Sequence, residues 1–383
     1  MAKPVKFDRV EFGWVQASSV KSWSFALIRD LDGLPIVVEF QNSNPDDPRV
    51  AIFDQFVRTL RGIPIEHDSQ VAELLGISTE QAAANAEQSR PLSALSTAVV
   101  EFQCQYEGRS MTTALGGTPQ QSQLLYANVN RFLNHIARAR TPRDFAAAAE
   151  RAANQGFTLV KVDPFDEVRR GLPADETVAL AQTGLDRLRA MADAAGPGVA
   201  LLVDCHGAFS LESMPPVAET MEELGVAWLE DPLDYRPKAE GLQKLGPSVE
   251  LPLVAGGDEY GQAVFEELVE VGGVSIIMQD VMRCGGVGVA ARAGQWAAQR
   301  GVRTSCHSPF GPLSNLASAH VHAASANVYA LEHAVWENEW RAELVEPAER
   351  VEGGHLVFPE GPGMGATLNW KTLERVGGKR WQL

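Results

Sequence analysis

Cysteine is scarce: four residues, at 104, 205, 284 and 306, with no CxxC pair and no zinc-like spacing. Neither a redox pair nor a structural zinc is expected, and a reduced, cytoplasmic protein is the simplest reading. Long apolar runs are missing, and the N-terminus has no apolar signal region, so neither a membrane span nor an export signal is expected. Positive charge is in deficit. Lys and Arg number 33 against 49 Asp and Glu, a formal net charge of −16, which argues against nucleic acid and acidic membranes as partners. Glycine (34) and proline (22) are plentiful but follow no period, so the chain is globular. Its 383 residues, 45% of them hydrophobic, exceed one compact core of usual size and suit a barrel with a second unit.

What is present is a repeat. Short apolar runs end abruptly in charged residues. Run 157–160 leads into Lys161-Val162-Asp163, 200–203 into Asp204-Cys205-His206-Gly207, and 226–229 into Glu230-Asp231-Pro232. Run 251–255 leads into Gly256-Gly257-Asp258-Glu259, 275–278 into Gln279-Asp280, 302–306 into His307, and 327–331 into Glu332-His333. From Asp204 onward the tips recur at spacings of 26, 28, 22, 27 and 25 residues. Each interval holds one strand, one helix and two loops; residues 217–224 have the helical pattern. Apolar runs this short suit strands buried on both faces under helices. The repetition predicts a (β/α) barrel, a modified TIM barrel, with its chemistry at the C-terminal strand ends. An open doubly wound sheet is the alternative and would place function at one crevice.

The barrel is expected over 116–340, with its first strand near 124–128. Residues 1–115 read differently: strands at 7–14, 24–28 and 34–40, an Asp32-Gly33 hairpin signal, a polar loop at 42–48, then helices at 50–60, 69–75 and 91–104. This is a separate α+β unit. Residues 341–383 form a C-terminal segment, with a strand at 356–358, that returns to it.

Asp204, Glu230 and Asp258 are carboxylates at three successive strand ends. Hard oxygen donors without Cys or His favour Mg²⁺; the plainer alternative is that each caps the next helix. Of Asp258 and Glu259 only one can point into the barrel mouth in the same way, with Asp258 preferred and Glu259 the alternative. Asp280 and His307 hold the next two ends, where a carboxylate–imidazole pair would orient the ring and suit His307 to accept a proton. The plainer alternative is a structural histidine.

This ordered set, completed by Glu332, resembles the enolase superfamily and its mandelate racemase/muconate lactonizing enzyme-like branch. Residues 96–117, ending Ala114-Leu115-Gly116-Gly117, resemble the helix and LLGG-type turn that close that family's capping domain. Gly361-Pro362-Gly363-Met364-Gly365 resembles its C-terminal GPGLG segment. The resemblance implies removal of the proton α to a substrate carboxylate, with Mg²⁺ on Asp204, Glu230 and Asp258 stabilising the enolate. It implies His307 as base, oriented by Asp280. It implies Lys161 as the group polarising the substrate carboxylate, and Glu332 as its hydrogen-bonding partner opposite the metal.

Two positions separate the branches of that family. Related racemases carry Lys-x-Lys on the second strand; here Asp163 replaces the second lysine, which weakens two-base racemisation unless Asp163 itself serves. Asp204-Cys205-His206-Gly207 resembles the Asp-x-His-Gly of galactonate- and mannonate-type dehydratases, which implies His206 as the acid that protonates the leaving β-hydroxyl. Strand alternation would put Asp204 and His206 on one face. A role in binding a hydroxyl or capping a helix is the alternative.

The expectation is thus an acid-sugar dehydratase, a lyase yielding a 2-keto-3-deoxy acid. The alternatives are an epimerase, racemase or cycloisomerase on the same scaffold, or a barrel that binds without turnover. A small-molecule carboxylate is the expected partner, and a homo-oligomer the expected assembly. Gly286-Val287-Gly288-Val289-Ala290-Ala291 fits a GxGxxA dinucleotide pattern but lacks the acidic residue about twenty positions on; its glycines are expected to allow close approach at a helix start. His320 and His322 fall on different faces of one helix and make poor joint ligands. Trp14, Lys21, Trp23 and His67 belong to the first unit, whose loops the resemblance assigns to substrate selection.

Overall fold

The computed structural model describes residues 3–40, 44–136, 140–236 and 238–383. Residues 42 and 43 of the polar loop expected at 42–48 lie outside them.

Three antiparallel strands come first: Phe7–Gln16, Ser22–Asp30 and Pro35–Glu39. Alternation gives their sheet two apolar faces. One face carries Phe12, Ala26, Ile28 and Val38 and is covered by helices Pro48–Leu60 and Ala86–Glu107. Phe12, Phe40 and Phe53 meet there with ring centroids 4.9 to 5.8 Å apart. The other face carries Trp23, Phe25 and Leu27 and joins the barrel's outer core. After the barrel, Lys379–Trp381 pairs antiparallel with the free edge of the first strand, setting Trp381 opposite Phe12.

Eight parallel strands form the barrel: Ser122–Asn128, Leu159–Val162, Ala200–Asp204, Val226–Glu230, Leu253–Ala255, Ile276–Ile277, Arg303–Thr304 and Leu331–Ala334. The first seven pair in chain order. The eighth pairs with the first, Leu331 to Leu125 through Ala334 to Asn128, and a bridge between Thr304 and Val328 joins the seventh to the segment before the eighth. The ring is closed, which removes the open-sheet alternative. The eighth strand lies at 331–334 rather than 327–331, because continuous pairing starts only where Leu331 meets Leu125. Glu332 therefore sits inside a strand and not past its end.

Period-two alternation builds the functional end. Tyr126, Leu202, Trp228, Met278 and Ala330 fill the lumen. Two residues further along the same strands or their extensions stand Asn128, Asp204, Glu230, Asp280 and Glu332. A polar ring thus tops an apolar plug.

Glu39 fastens the first unit to the barrel. Its carboxylate accepts from the backbone N–H groups of Gly311 (2.7 Å) and Ser314 (3.1 Å), at the start of helix Pro312–Ala323. Burial pushes its pKa up to about 7, against the pull of those two N–H groups. A carboxyl that binds its proton more tightly folded than unfolded lowers stability as pH rises from about 4.5 to about 7, by about 3 kcal/mol for this shift. Glu39→Gln, which cannot ionise, is expected to flatten that part of the pH–stability curve measured by urea denaturation; an unchanged slope would clear Glu39 of the effect.

Candidate active site

Lys161 is the centre. It belongs to the second strand, is 1% exposed, and its ammonium reaches three carboxylates on three other strands. Nζ lies 2.5 Å from Glu230 Oε1, 3.2 Å from Asp204 Oδ2 and 3.3 Å from Glu332 Oε1. Burial alone would strip its proton, but Glu230, Glu332 and Asp204 outweigh burial and hold the pKa well above the usual lysine range. Burial likewise raises Asp204 and Glu332, yet Lys161 pulls both below their ordinary values, assisted by His206 and His307 respectively. Glu230 goes the other way: burial, then repulsion from Asp204, raise it well above the carboxylate range.

Glu332 is fixed from two sides. Asn128 Nδ2 donates to Oε1 at 2.6 Å and the Ser308 N–H to Oε2 at 2.7 Å. His307 Nε2 stands 4.0 Å from Oε2. On its other side His307 Nδ1 donates to Asp280 Oδ2 at 2.9 Å. A carboxylate can only accept, so Nδ1 carries a proton, and in the uncharged form of such a ring the lone pair is on Nε2. Asp280 is fully buried, and its other oxygen accepts from the Met282 N–H at 2.9 Å.

His206 stands at the opposite end. The third strand stops at Asp204, and His206 has a left-handed backbone, φ 48°, so strand alternation is not what places it. A turn does: the His206 N–H donates to Asp204 Oδ1 at 3.1 Å, and the ring folds back to leave Nε2 3.4 Å from Asp204 Oδ2. Nδ1 donates to Asp163 Oδ2 at 2.8 Å. With carboxylates at both nitrogens, Asp204 first and then Asp163 raise the pKa to about 10, against burial. The side chain is 61% open to solvent, so water screens part of that pull. Its two carboxylate partners nonetheless hold the His206 ring toward its protonated form.

One unbroken chain of polar contacts therefore runs Asp163, His206, Asp204, Lys161, Glu332, His307, Asp280, with an imidazole near each end. It brings together seven of the eight candidates, Glu230 included through Lys161. Asp258 stands apart. It lies beyond the strand Leu253–Ala255 with half of its side chain exposed. Arg283 bonds it directly, with Arg236 at 3.6 Å and Arg90 at 3.8 Å. Glu259 accepts from the Tyr235 hydroxyl at 3.2 Å. Among the described residues no group of three or more His, Cys, Asp or Glu stands arranged to hold a metal. Two buried oxygens beside the cluster, Glu230 Oε2 and Asp231 Oδ1, have no partner.

Several of these participants escape sequence reasoning. Asn128 follows Tyr126 by two positions and shares its face, a signal that alternation could have used. The three arginines around Asp258 lie on separate elements and carry no motif. Of the remaining singled-out residues, His320 and His322 are both buried. His320 bonds Thr112 Oγ1, and His322 accepts from the Cys306 N–H. Gly286 opens helix Val287–Ala298, where a Cβ would lie 2.7 Å from the Ser93 carbonyl oxygen. Trp23 packs edge-on to Trp340. A cavity of about 710 Å³ lined by Ser110, Thr112, His320 and Glu349 includes none of the candidates.

Residues 144–372 match the family described as enolase C-terminal domain-like. The chain is 32% identical over 188 residues to a D-xylonate dehydratase of Haloferax volcanii, covering 49% of this chain and 45% of that protein. It is 26% identical over 293 residues to a D-gluconate dehydratase of Thermoproteus tenax, covering 76% and 56%. The chain spans about half the length of the curated relatives it matches. Among solved structures, a mandelate racemase/muconate lactonizing enzyme-like protein from Rubrobacter xylanophilus DSM 9941 superposes with a TM-score of 0.83 over 97% of each chain at 23% identity, a likeness of fold.

Proposed function

This chain belongs to the enolase C-terminal domain-like family, and from that premise we propose that it is a Mg²⁺-dependent hydro-lyase. It would abstract the proton α to the carboxylate of an acid sugar and eliminate the β-hydroxyl as water, giving a 2-keto-3-deoxy acid. The observation that carries this reading is the pair of carboxylate-held histidines near the two ends of one contact chain, His206 between Asp163 and Asp204 and His307 on Asp280. The names of the relatives, D-xylonate and D-gluconate dehydratase, support the substrate class.

A hard divalent cation fits the donors that stand together. Asp204 and Glu230 supply hard oxygens, Glu230 Oε2 is buried without a partner, and the repulsion that raises the Glu230 pKa is the kind a cation relieves. Asp204 and Glu230 would hold it; Asp258 would complete the set only by leaving its arginines. When bound, Mg²⁺ neutralises negative charge that develops on carboxylate oxygens.

The protein's own groups do the rest. Lys161 and Glu332 flank the place for the substrate carboxylate: Lys161 donates to one of its oxygens, and the ionised Glu332 holds that ammonium in place. His307 takes the α-proton at Nε2, and Asp280 stabilises the imidazolium so formed. His206, held protonated by Asp204 and Asp163, gives its proton to the departing hydroxyl. Asp163 is engaged by His206, which leaves it poorly suited to act as the second base of a racemase. Four buried, unpaired cysteines suit the reducing cytoplasm, and among the described residues no helix is long and apolar enough to cross a membrane.

The test is a panel of acid sugars with Mg²⁺ in D₂O, followed by proton NMR, with a parallel series in EDTA. Deuterium at the α-carbon with a 2-keto-3-deoxy product supports the proposal. An isomer of unchanged mass selects an epimerase or cycloisomerase instead, and no exchange on any acid rejects the enolate chemistry. His206→Ala is expected to keep α-proton exchange while slowing elimination by about 10²- to 10⁴-fold. Equal loss of both steps would remove His206 from the role of acid.

A further inference from the structure

Arg90 is a buried charge held only loosely by its carboxylate partner. It lies on the helix Ala86–Glu107 of the first unit and is only 9% exposed. Its Nε is buried with no hydrogen-bond partner. Asp280 and Asp258 both attract it, and the contact with Asp258, at 3.8 Å, is beyond hydrogen-bond length. Burying a guanidinium with a hydrogen-bonding N–H unmatched is costly, so an anion that approached more closely than Asp258 would be bound favourably. Arg90 is not alone. Arg283 and Arg236 converge on the same Asp258, and Lys21, from the turn after the first strand, is near enough to Arg283 for the two charges to repel. In a chain of net charge −16, this concentration of cations focuses anions onto one spot.

The spot adjoins the chemistry. Arg283 Nε lies 2.9 Å from Asp280 Oδ2, the oxygen that receives His307 Nδ1–H. Gly257, next to Asp258, packs on the His307 ring, where a Cβ would sit 3.3 Å from Cγ. In the reading above Lys161 and Glu332 flank one carboxylate of the substrate, which leaves the arginines beside Asp258 to meet another group.

Resting on the dehydratase reading above, we infer that Arg90, Arg283 and Arg236 form a second anion subsite, and that the preferred substrate is an acid sugar with a second anionic group at its far end, a dianion in the sense of two charged groups. Planar guanidinium forks suit a carboxylate or a phosphoryl group equally, so the acid could be an aldarate or a phosphorylated aldonate. The simple aldonates become poorer substrates, because they bring no second anion to the arginines.

The probes are sets of matched stereochemistry: a hexonate, the corresponding hexarate and the 6-phosphohexonate, each with Mg²⁺. The wild type is expected to show a higher kcat/KM on one of the two dianions than on the hexonate, and which one names the distal group. Arg90→Gln is expected to lower the ratio of kcat/KM on that dianion to kcat/KM on the hexonate about tenfold to a hundredfold, mainly through KM. Arg236→Gln, at a more exposed side chain, gives a smaller fall in the same ratio and serves if Arg90→Gln does not fold. A wild type that prefers hexonates, or a ratio unmoved in both variants, overturns the subsite. If no acid exchanges its α-proton, the dehydratase reading fails on its own, and calorimetric binding of the same probes decides the subsite. Weaker binding of a dianion to Arg236→Gln sustains it, and binding equal to wild type overturns it.

Discussion

His307→Asn should fold normally and lose about 10²- to 10⁴-fold in the rate of α-proton exchange, the range over which a positioned base contributes. The argument is geometric. Asp280 Oδ2 accepts from Nδ1 at 2.9 Å, which fixes the ring and turns Nε2, the nitrogen that would take the proton, to within 4.0 Å of Glu332 Oε2. Asparagine can keep the bond to Asp280 but offers no base. The ring packs edge-on against Phe310 and lies beside Gly257, so the smaller side chain opens little of the core. Deuterium incorporation by NMR is the decisive readout, with near-UV circular dichroism to show that packing is retained. Exchange at the wild-type rate would place the base elsewhere and leave the Asp280–His307 pair a structural device.

The second large effect falls on stability. Lys161→Met should cost about 3–5 kcal/mol, the range for breaking a buried ion pair from one side. Removing the ammonium leaves Asp204, Glu230 and Glu332 facing one another in a site where all three are nearly or fully buried. The sign with pH follows. Lys161 now holds Asp204 and Glu332 below their ordinary pKa values. Without it burial and mutual repulsion raise them, so the folded variant binds protons more tightly than the unfolded chain and loses stability as pH rises. Urea midpoints for wild type and variant should therefore converge toward pH 4 and separate by pH 7. Parallel curves would mean that Lys161 acts through packing and not charge.

The barrel was legible because a parallel strand buried on both faces must be short and apolar, and because its polar groups can emerge only at the tip. That constraint marks seven strand ends in the sequence. It fails where a strand is defined by pairing more than by composition: Tyr329, Ala330 and Leu331 are as apolar as any strand, yet the ladder begins at Leu331. Asp204, Glu230, Lys161 and the Asp280–His307 pair share a face through simple alternation and could be assembled in advance. His206 was found for a reason that the structure replaces, since a left-handed turn and not an extended strand brings it to Asp204. Arg90 could not be found at all. Its significance comes from a helix in one unit reaching residues some 170 to 190 positions away in another, and nothing local records that.

The strand Lys379–Trp381 occupies the edge of the first sheet, opposite Phe12, Gly13 and Trp14. A chain made from its N-terminus must therefore hold that edge open while all eight barrel strands are synthesised. Unpaired edges recruit other strands, so during translation that edge is a vulnerable surface until Lys379–Trp381, made only after the eight barrel strands, reaches it.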